Sequence, residues 1–203
     1  MIKKITLSII AVLAFGFANA QDVKFGAKGG INLSTLTGDI DNVSSKVGFQ
    51  VGGFAEIKLS NNFFVQPEVL YSTQGAKSKI LAGEFFRKNN FKFGYLNVPV
   101  MAKYYVADKF SLEAGPQIGF LVSAKNDYSY SAFGYNDYGK EDVKDQFKSI
   151  DFGVNLGAGY DFTENISAGV RYNLSLSNIT DFGDGANAKF KNSTFSLSVG
   201  YKF

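Results

Sequence analysis

Residues 193–203 read STFSLSVGYKF. Phe195, Leu197, Val199, Tyr201 and Phe203 fall on one parity; Thr194, Ser196, Ser198, Gly200 and Lys202 fall on the other. A repeat of two belongs to a β-strand whose two faces meet unlike surroundings. Alternation alone does not say which face is inside. A soluble sandwich or barrel packs the apolar row in its core, whereas a membrane barrel turns that row to lipid and fills its interior with polar side chains.

Seven stretches upstream carry the same repeat, giving eight predicted strands at about 24–33, 47–59, 63–72, 95–104, 110–125, 150–162, 166–176 and 194–203. No charged residue stands on the apolar parity of any of them. The connections alternate in length. Ser60–Asn62, Tyr105–Lys109 and Thr163–Asn165 are short, while 35–46, 73–94, 126–149 and 177–193 read as long loops. Short turns at one end and long loops at the other are the arrangement of an outer-membrane barrel. The expected fold is therefore an all-β, eight-stranded antiparallel up-and-down transmembrane β-barrel with both chain termini at the periplasmic, short-turn end.

Three further features turn the apolar row outward. Several apolar rows are long enough to cross a bilayer, for which a tilted strand needs about 9–11 residues. The charged parity is rich in glycine, as at Gly48, Gly52, Gly115, Gly119, Gly153 and Gly157, which suits the crowded inside of a small barrel. Aromatic residues such as Phe63, Tyr71, Tyr104, Phe110, Tyr160 and Tyr201 lie near segment ends, as in interfacial girdles. Pro67, Pro99 and Pro116 fall inside three of the segments. Each must sit where its missing N–H is not needed, at a bulge or a hydrated position.

The start of the chain, MIKKITLSIIAVLAFGFANAQ, sets two lysines before an apolar run that ends in Ala18-Asn19-Ala20. This is the order of a secretory signal peptide, so residues 1–20 are expected to be removed and 21–203 to form the outer-membrane domain. Loss of Lys3 and Lys4 takes the formal net charge from +3 to +1, which gives no warrant for nucleic-acid binding. No later stretch is long and apolar enough for a transmembrane helix.

The 203 residues contain no cysteine, histidine or tryptophan. Disulfide scaffolds, thiol nucleophiles and histidine-based triads are thereby excluded, and only oxygen donors remain for a metal. No catalytic residue, cofactor or metal site is expected.

The charged parity would carry Lys28, Glu56, Lys58, Glu68, Lys103, Glu113, Asp151, Arg171 and Lys202 into one interior, where charges persist only when paired or hydrogen-bonded. Arg171 is the expected hub, since its fork can hold two carboxylates. The long loops offer candidate contacts with partners: Lys77, Lys79, Arg87 and Lys88 in the first, and Tyr128, Tyr130, Tyr135 and Tyr138 in the second.

The stretches VKFGAKGGINLS (23–34), FFVQPEVLYSTQGAK (63–77), YLNVPVMAKYY (95–105), LEAGPQIGFL (112–121), DFGVNLGAGYDF (151–162) and ISAGVRYNLSLSNI (166–179), with the closing YKF, resemble the PorT-like outer-membrane β-barrel family of Bacteroidetes. The resemblance covers nearly all of the mature chain. It implies an outer-membrane location, contact with outer-membrane lipids, and recognition of the terminal aromatic by the outer-membrane assembly machinery. The expected role is structural or protein-interacting within the cell envelope, with an envelope partner still to be identified. A narrow channel or a transport or secretion-machinery component is the alternative, and a soluble exported barrel a weaker third.

Overall fold

The computed structural model describes residues 23–39, 42–181 and 189–203. The expected signal peptide lies outside them. Nine antiparallel strands are formed among the described residues: β1 (Val23–Gly38), β2 (Val43–Lys58), β3 (Phe63–Ala82), β4 (Phe85–Ala107), β5 (Phe110–Ala132), β6 (Tyr135–Asp142), β7 (Ile150–Asp161), β8 (Ile166–Ser175) and β9 (Phe190–Lys202).

The expected eight-stranded up-and-down arrangement is corrected by this sheet. Its nine strands run β4-β3-β2-β1-β9-β8-β7-β5-β6, with a further pairing of β4 to β5. Strand β5 changes partner along its length. Phe110–Phe120 pair with β7, whereas Lys125–Ala132 pair with β6, which folds back along β5 as a hairpin and interrupts the simple meander. Strand β6 pairs with β5 alone, whereas β1, for instance, pairs with both β2 and β9.

The extra strand comes from stretches expected as loops. Residues 73–82 pair with 85–94, and 125–132 with 135–142, so two long hairpins project beyond the shorter strands. Their turns are tight: Gly83 has φ 59°, and Phe133 and Gly134 have φ 49° and 79°. Two successive positive φ values suit the right-handed twist of a hairpin, at a conformational cost for Phe133 that glycine would not incur. The outward face of the hairpins is largely polar, and on the other face of the first hairpin Ser78, Arg87 and Asn89 interrupt the apolar row, so no sustained apolar period marked it in the sequence.

The two faces of the sheet are sharply unlike. Val47 is 71% exposed and Leu156 63%, and Val154, Val170 and Leu197 also lie on the outer surface. Glu68, by contrast, is 2% exposed and Arg171 8%. At these positions apolar side chains therefore face outward and charged ones inward.

Each proline sits where a ladder lapses on one side only. Pro67 faces Val100 on β4, while the β2–β3 pairing is interrupted, in unchanged register, between Phe54↔Glu68 and Ile57↔Val65. Pro99 faces Gln117, and the β3–β4 pairing is interrupted between Pro67↔Val100 and Leu70↔Asn97. Pro116 faces Val154, and the β4–β5 pairing is interrupted between Pro99↔Gln117 and Ala102↔Ala114. The missing donors thus fall on successive strands at successive gaps, without needing an exposed sheet edge.

Candidate functional site: a layered interior and a projecting sheet

The short-turn end opens into a cavity of about 1030 Å³, bordered by Lys24, Lys58, Asn62, Tyr105, Lys109 and Glu164. At its floor, Lys103 Nζ lies 2.8 Å and Lys202 Nζ 3.2 Å from the two oxygens of Glu56. Lys202 also reaches Asp161 at 3.1 Å, to which Tyr105 donates a hydrogen bond of 2.6 Å. Two lysines and two carboxylates make this layer formally neutral.

A second neutral quartet lies deeper. Arg171, on β8, gives Nη1 to Glu68 Oε2 at 2.8 Å and Nη2 to Glu68 Oε1 at 2.9 Å. The same Nη2 reaches Glu113 Oε2 at 2.9 Å, and Lys28 Nζ reaches Glu68 Oε1 at 2.8 Å. Gln66 donates a further bond of 2.6 Å to that oxygen. Strands β1, β3, β5 and β8 are tied across the interior through one carboxylate pair. Only about 20 Å³ of open space is left beside these side chains.

Beyond the ions comes an amide and hydroxyl layer. Asn32 Nδ2 donates to Ser72 Oγ at 2.8 Å, Gln74 Nε2 to the same oxygen at 2.9 Å, and Asn192 to Gln74 Oε1. The far end of the interior is apolar: Leu36, Phe93, Tyr95 and Leu121 from the strands pack with Val143, Phe147 and Ile179 from the connecting segments. Phe93 and Phe147 meet edge-on, with centroids 4.8 Å apart.

Of the nine residues expected in one interior network, seven occupy the two quartets. Two depart from the expectation. Lys58 is exposed at the mouth of the cavity, because its position at the end of β2 lies beyond the enclosed section. Asp151 is buried at the start of β7, far along the strand from the quartets, and accepts a 2.5 Å hydrogen bond from Ser175. Asp161 and Tyr105 were not anticipated. Asp161 does share the charged parity of β7, a signal that was open to use, whereas Tyr105 lay in a presumed turn.

The expected loop contacts lie on strands, on two faces. Register places Lys79 opposite Lys88 and Lys77 opposite Asn90 on the outward face, together with Lys92, Lys125, Lys140 and Tyr138. Arg87 stands opposite Tyr130, and Tyr130 opposite Asp137, on the other face with Tyr128 and Tyr135. Phe85 meets Tyr130 edge-on at 5.5 Å. Lys92 bonds to Asp127 and holds that carboxyl below its usual range, while the charge of Asp137 pushes the Tyr128 phenol up. Among the described residues no group of three or more carboxylates is arranged to hold a metal.

Residues 19–181 match the model of the outer membrane protein beta-barrel domain, and the chain belongs to that family. Neisserial surface protein A (NspA) is similar at 17% identity, over 90% of this chain and 100% of that one, with a TM-score of 0.51. Ail, the attachment invasion locus protein of Yersinia pestis, is similar at 15% identity over the same shares, also with a TM-score of 0.51. At such identities the likeness is one of fold. No curated protein matches the sequence.

Proposed function

We propose that this outer-membrane protein is a non-enzymatic scaffold or interaction module of the cell envelope, with a sealed interior and projecting hairpins that meet its surroundings. The observation that carries the reading is the Arg171–Glu68–Glu113–Lys28 quartet, which bridges strands from opposite parts of the sheet and leaves a cavity of about 20 Å³ beside its side chains. The apolar cluster around Phe93 and Phe147 forms a second barrier. Water-sized solutes would have to displace paired charges and then an apolar layer.

The finer parts of the proposal follow from the sequence. Residues 1–20 act as a signal peptide cleaved after Ala20, and residues 21–203 form the mature domain. Both termini and the short turns face the periplasm, and the hairpins face outward from the cell. The outer-membrane assembly machinery reads the terminal Phe203, and the resemblance to PorT-like proteins supports a place within a larger envelope assembly.

Planar-bilayer recording tests the sealed interior. The folded protein is expected to give no reproducible current steps. Steps that persist in a heat-modifiable, correctly folded preparation would replace the scaffold by a channel.

A further inference from the structure

The two projecting hairpins end side by side. Phe86 of β4 stands opposite Ser131 of β5, so the turns at 83–84 and 133–134 close the sheet at one level. The side chains there are apolar and open to water: Phe133 is 87% exposed, Tyr135 65% and Leu81 64%, with Ile80 beside them. Phe133 holds its place at a positive φ of 49°, which a bulky residue adopts only at a cost. An apolar cluster held in water in this way marks a contact surface.

The crest is out of reach of the bilayer that the barrel spans. Leu81↔Phe86 lies ten residues beyond the exposed apolar pair Tyr71↔Leu96, on the same parity. Ten residues of strand climb roughly 33 Å at 3.3 Å each. At a tilt of about 45° that is about 23 Å of height, against a headgroup layer of roughly 5–8 Å. Whatever covers the crest comes from outside.

Charge follows the apolar tip at a fixed depth. On the face of Leu81 and Phe86 the next pair down is Lys79↔Lys88, about 5 Å lower at the same tilt, and Lys77 comes one pair below. Directly opposed lysines repel. Among the described residues neither is in an ion pair, although Lys79 lies over the Phe86 ring at 5.7 Å. Over residues 77–88 and 129–138, Lys77, Lys79, Arg87 and Lys88 stand against only Glu84 and Asp137. Apolar groups in front and cations a few ångströms behind match the layers of an anionic bilayer met from outside. An apolar anchor enters the headgroup–acyl boundary by about 5–10 Å, which brings the cations to the phosphates.

We propose that the hairpin tips dock the protein onto an apposed anionic lipid bilayer, with Leu81 and Phe133 entering its apolar layer and Lys79 and Lys88 meeting its phosphates. The inference rests on the outer-membrane reading above and gives the projecting sheet its partner.

The test uses the full mature protein in phosphatidylcholine nanodiscs, mixed with sucrose-loaded vesicles of phosphatidylcholine and phosphatidylglycerol and then sedimented. Loaded nanodiscs are expected to travel with the vesicles and empty ones to stay behind. L81S/F133S, at exposed positions, should remain heat-modifiable and weaken binding at least about tenfold, since each large apolar side chain taken from water contributes on that order. K79Q/K88Q should weaken it several-fold, as should high salt. K58Q/K109Q, at the opposite end, should leave it unchanged. The chain has no tryptophan, so Phe133→Trp places a single indole at the crest, and its emission should move to shorter wavelength when vesicles are added. Unchanged binding in L81S/F133S or in K79Q/K88Q would overturn the proposal, as would an unmoved emission. Loaded nanodiscs that join one another without vesicles would assign the crest to a second copy and overturn it too. Failure of the parent protein to enter nanodiscs would instead strike the outer-membrane reading itself, before any vesicle is added.

Discussion

Arg171 and Glu68 are 103 residues apart in sequence and form two parallel hydrogen bonds of 2.8 and 2.9 Å inside the sheet. The fork of the guanidinium matches the carboxylate, and its Nη2 is shared with Glu113. A buried pair of this kind is a weak argument for stability by itself, because desolvation offsets most of the attraction. It is a strong argument about what happens when one partner is lost.

Arg171→Met should leave Glu68 and Glu113 facing only Lys28, an interior with one unbalanced negative charge. Breaking a buried pair costs about 3–5 kcal/mol. Denaturant unfolding in detergent micelles should show a lowered midpoint, and Arg171→Lys should recover part of it by restoring charge without the bidentate geometry. A midpoint equal to that of the parent would remove the quartet from any account of stability.

How much of this was legible beforehand depends on what marks a residue in a sequence. Strands β7 and β9 could be read from Ile150–Phe162 and Thr194–Phe203 because each row meets one kind of surroundings. The interior charges could be read from the same parity, and seven of them do meet. The hairpin pairing of 73–82 with 85–94 could not, since Lys77, Lys79, Lys88 and Asn90 make one face polar, Ser78, Arg87 and Asn89 break the apolar row of the other, and the pairing is carried by backbone and turns. Phe147 and Ile179 escaped for the opposite reason: isolated apolar residues in connecting segments have no period, and only the closed chain path brings them to Phe93. The glycines were legible as a pattern but not in cause. A Cβ on Gly115 would lie 2.0 Å from the Val100 carbonyl oxygen and one on Gly52 2.0 Å from that of Val69. Close approach of neighbouring backbones, more than crowding of the interior, requires them.

Gly115→Ala should therefore be poorly tolerated. Strand β4 or β5 would have to shift, at a cost of about 1–3 kcal/mol for an overpacked site. Gly29→Ala is the control, because its added methyl meets only the Gln50 carbonyl at 3.9 Å. Comparing the folded, heat-modifiable fraction of the two variants checks the prediction, and equal yields would refute it.

On the projecting sheet, the Lys92–Asp127 bond gives a pH signature. The Asp127 carboxyl is held below its usual range by the hydrogen bond from Lys92 and then by its charge. A depressed folded value means that the interaction contributes above the unfolded carboxyl value, about 3.9, and fades as pH falls through the folded one. Carboxyl NMR titration should find Asp127 below its ordinary midpoint, and Lys92→Gln should bring it back up. The pair is exposed, so global stability should barely move. A midpoint unaffected by Lys92→Gln would place the cause elsewhere.

Phe147 reaches into the far end of the interior from the segment between β6 and β7, edge-on to Phe93 and near Phe91. The neighbouring backbone is fixed by Val143 N–H to the Ala124 carbonyl at 3.0 Å and Lys148 N–H to the Ile179 carbonyl at 2.8 Å. Phe147→Ala would remove the ring on which the apolar layer closes, at a cost of about 3–5 kcal/mol for a buried Phe→Ala change. Because the loss falls on the connecting segment and not on the membrane-facing ladder, the variant should still fold and remain heat-modifiable. Limited proteolysis should instead cut faster between Asp142 and Ser149, with amide exchange rising at Val143 and Lys148 first. If cleavage and exchange there match the parent while the strands loosen, the apolar layer supports the whole sheet and is not a local closure of its outer end.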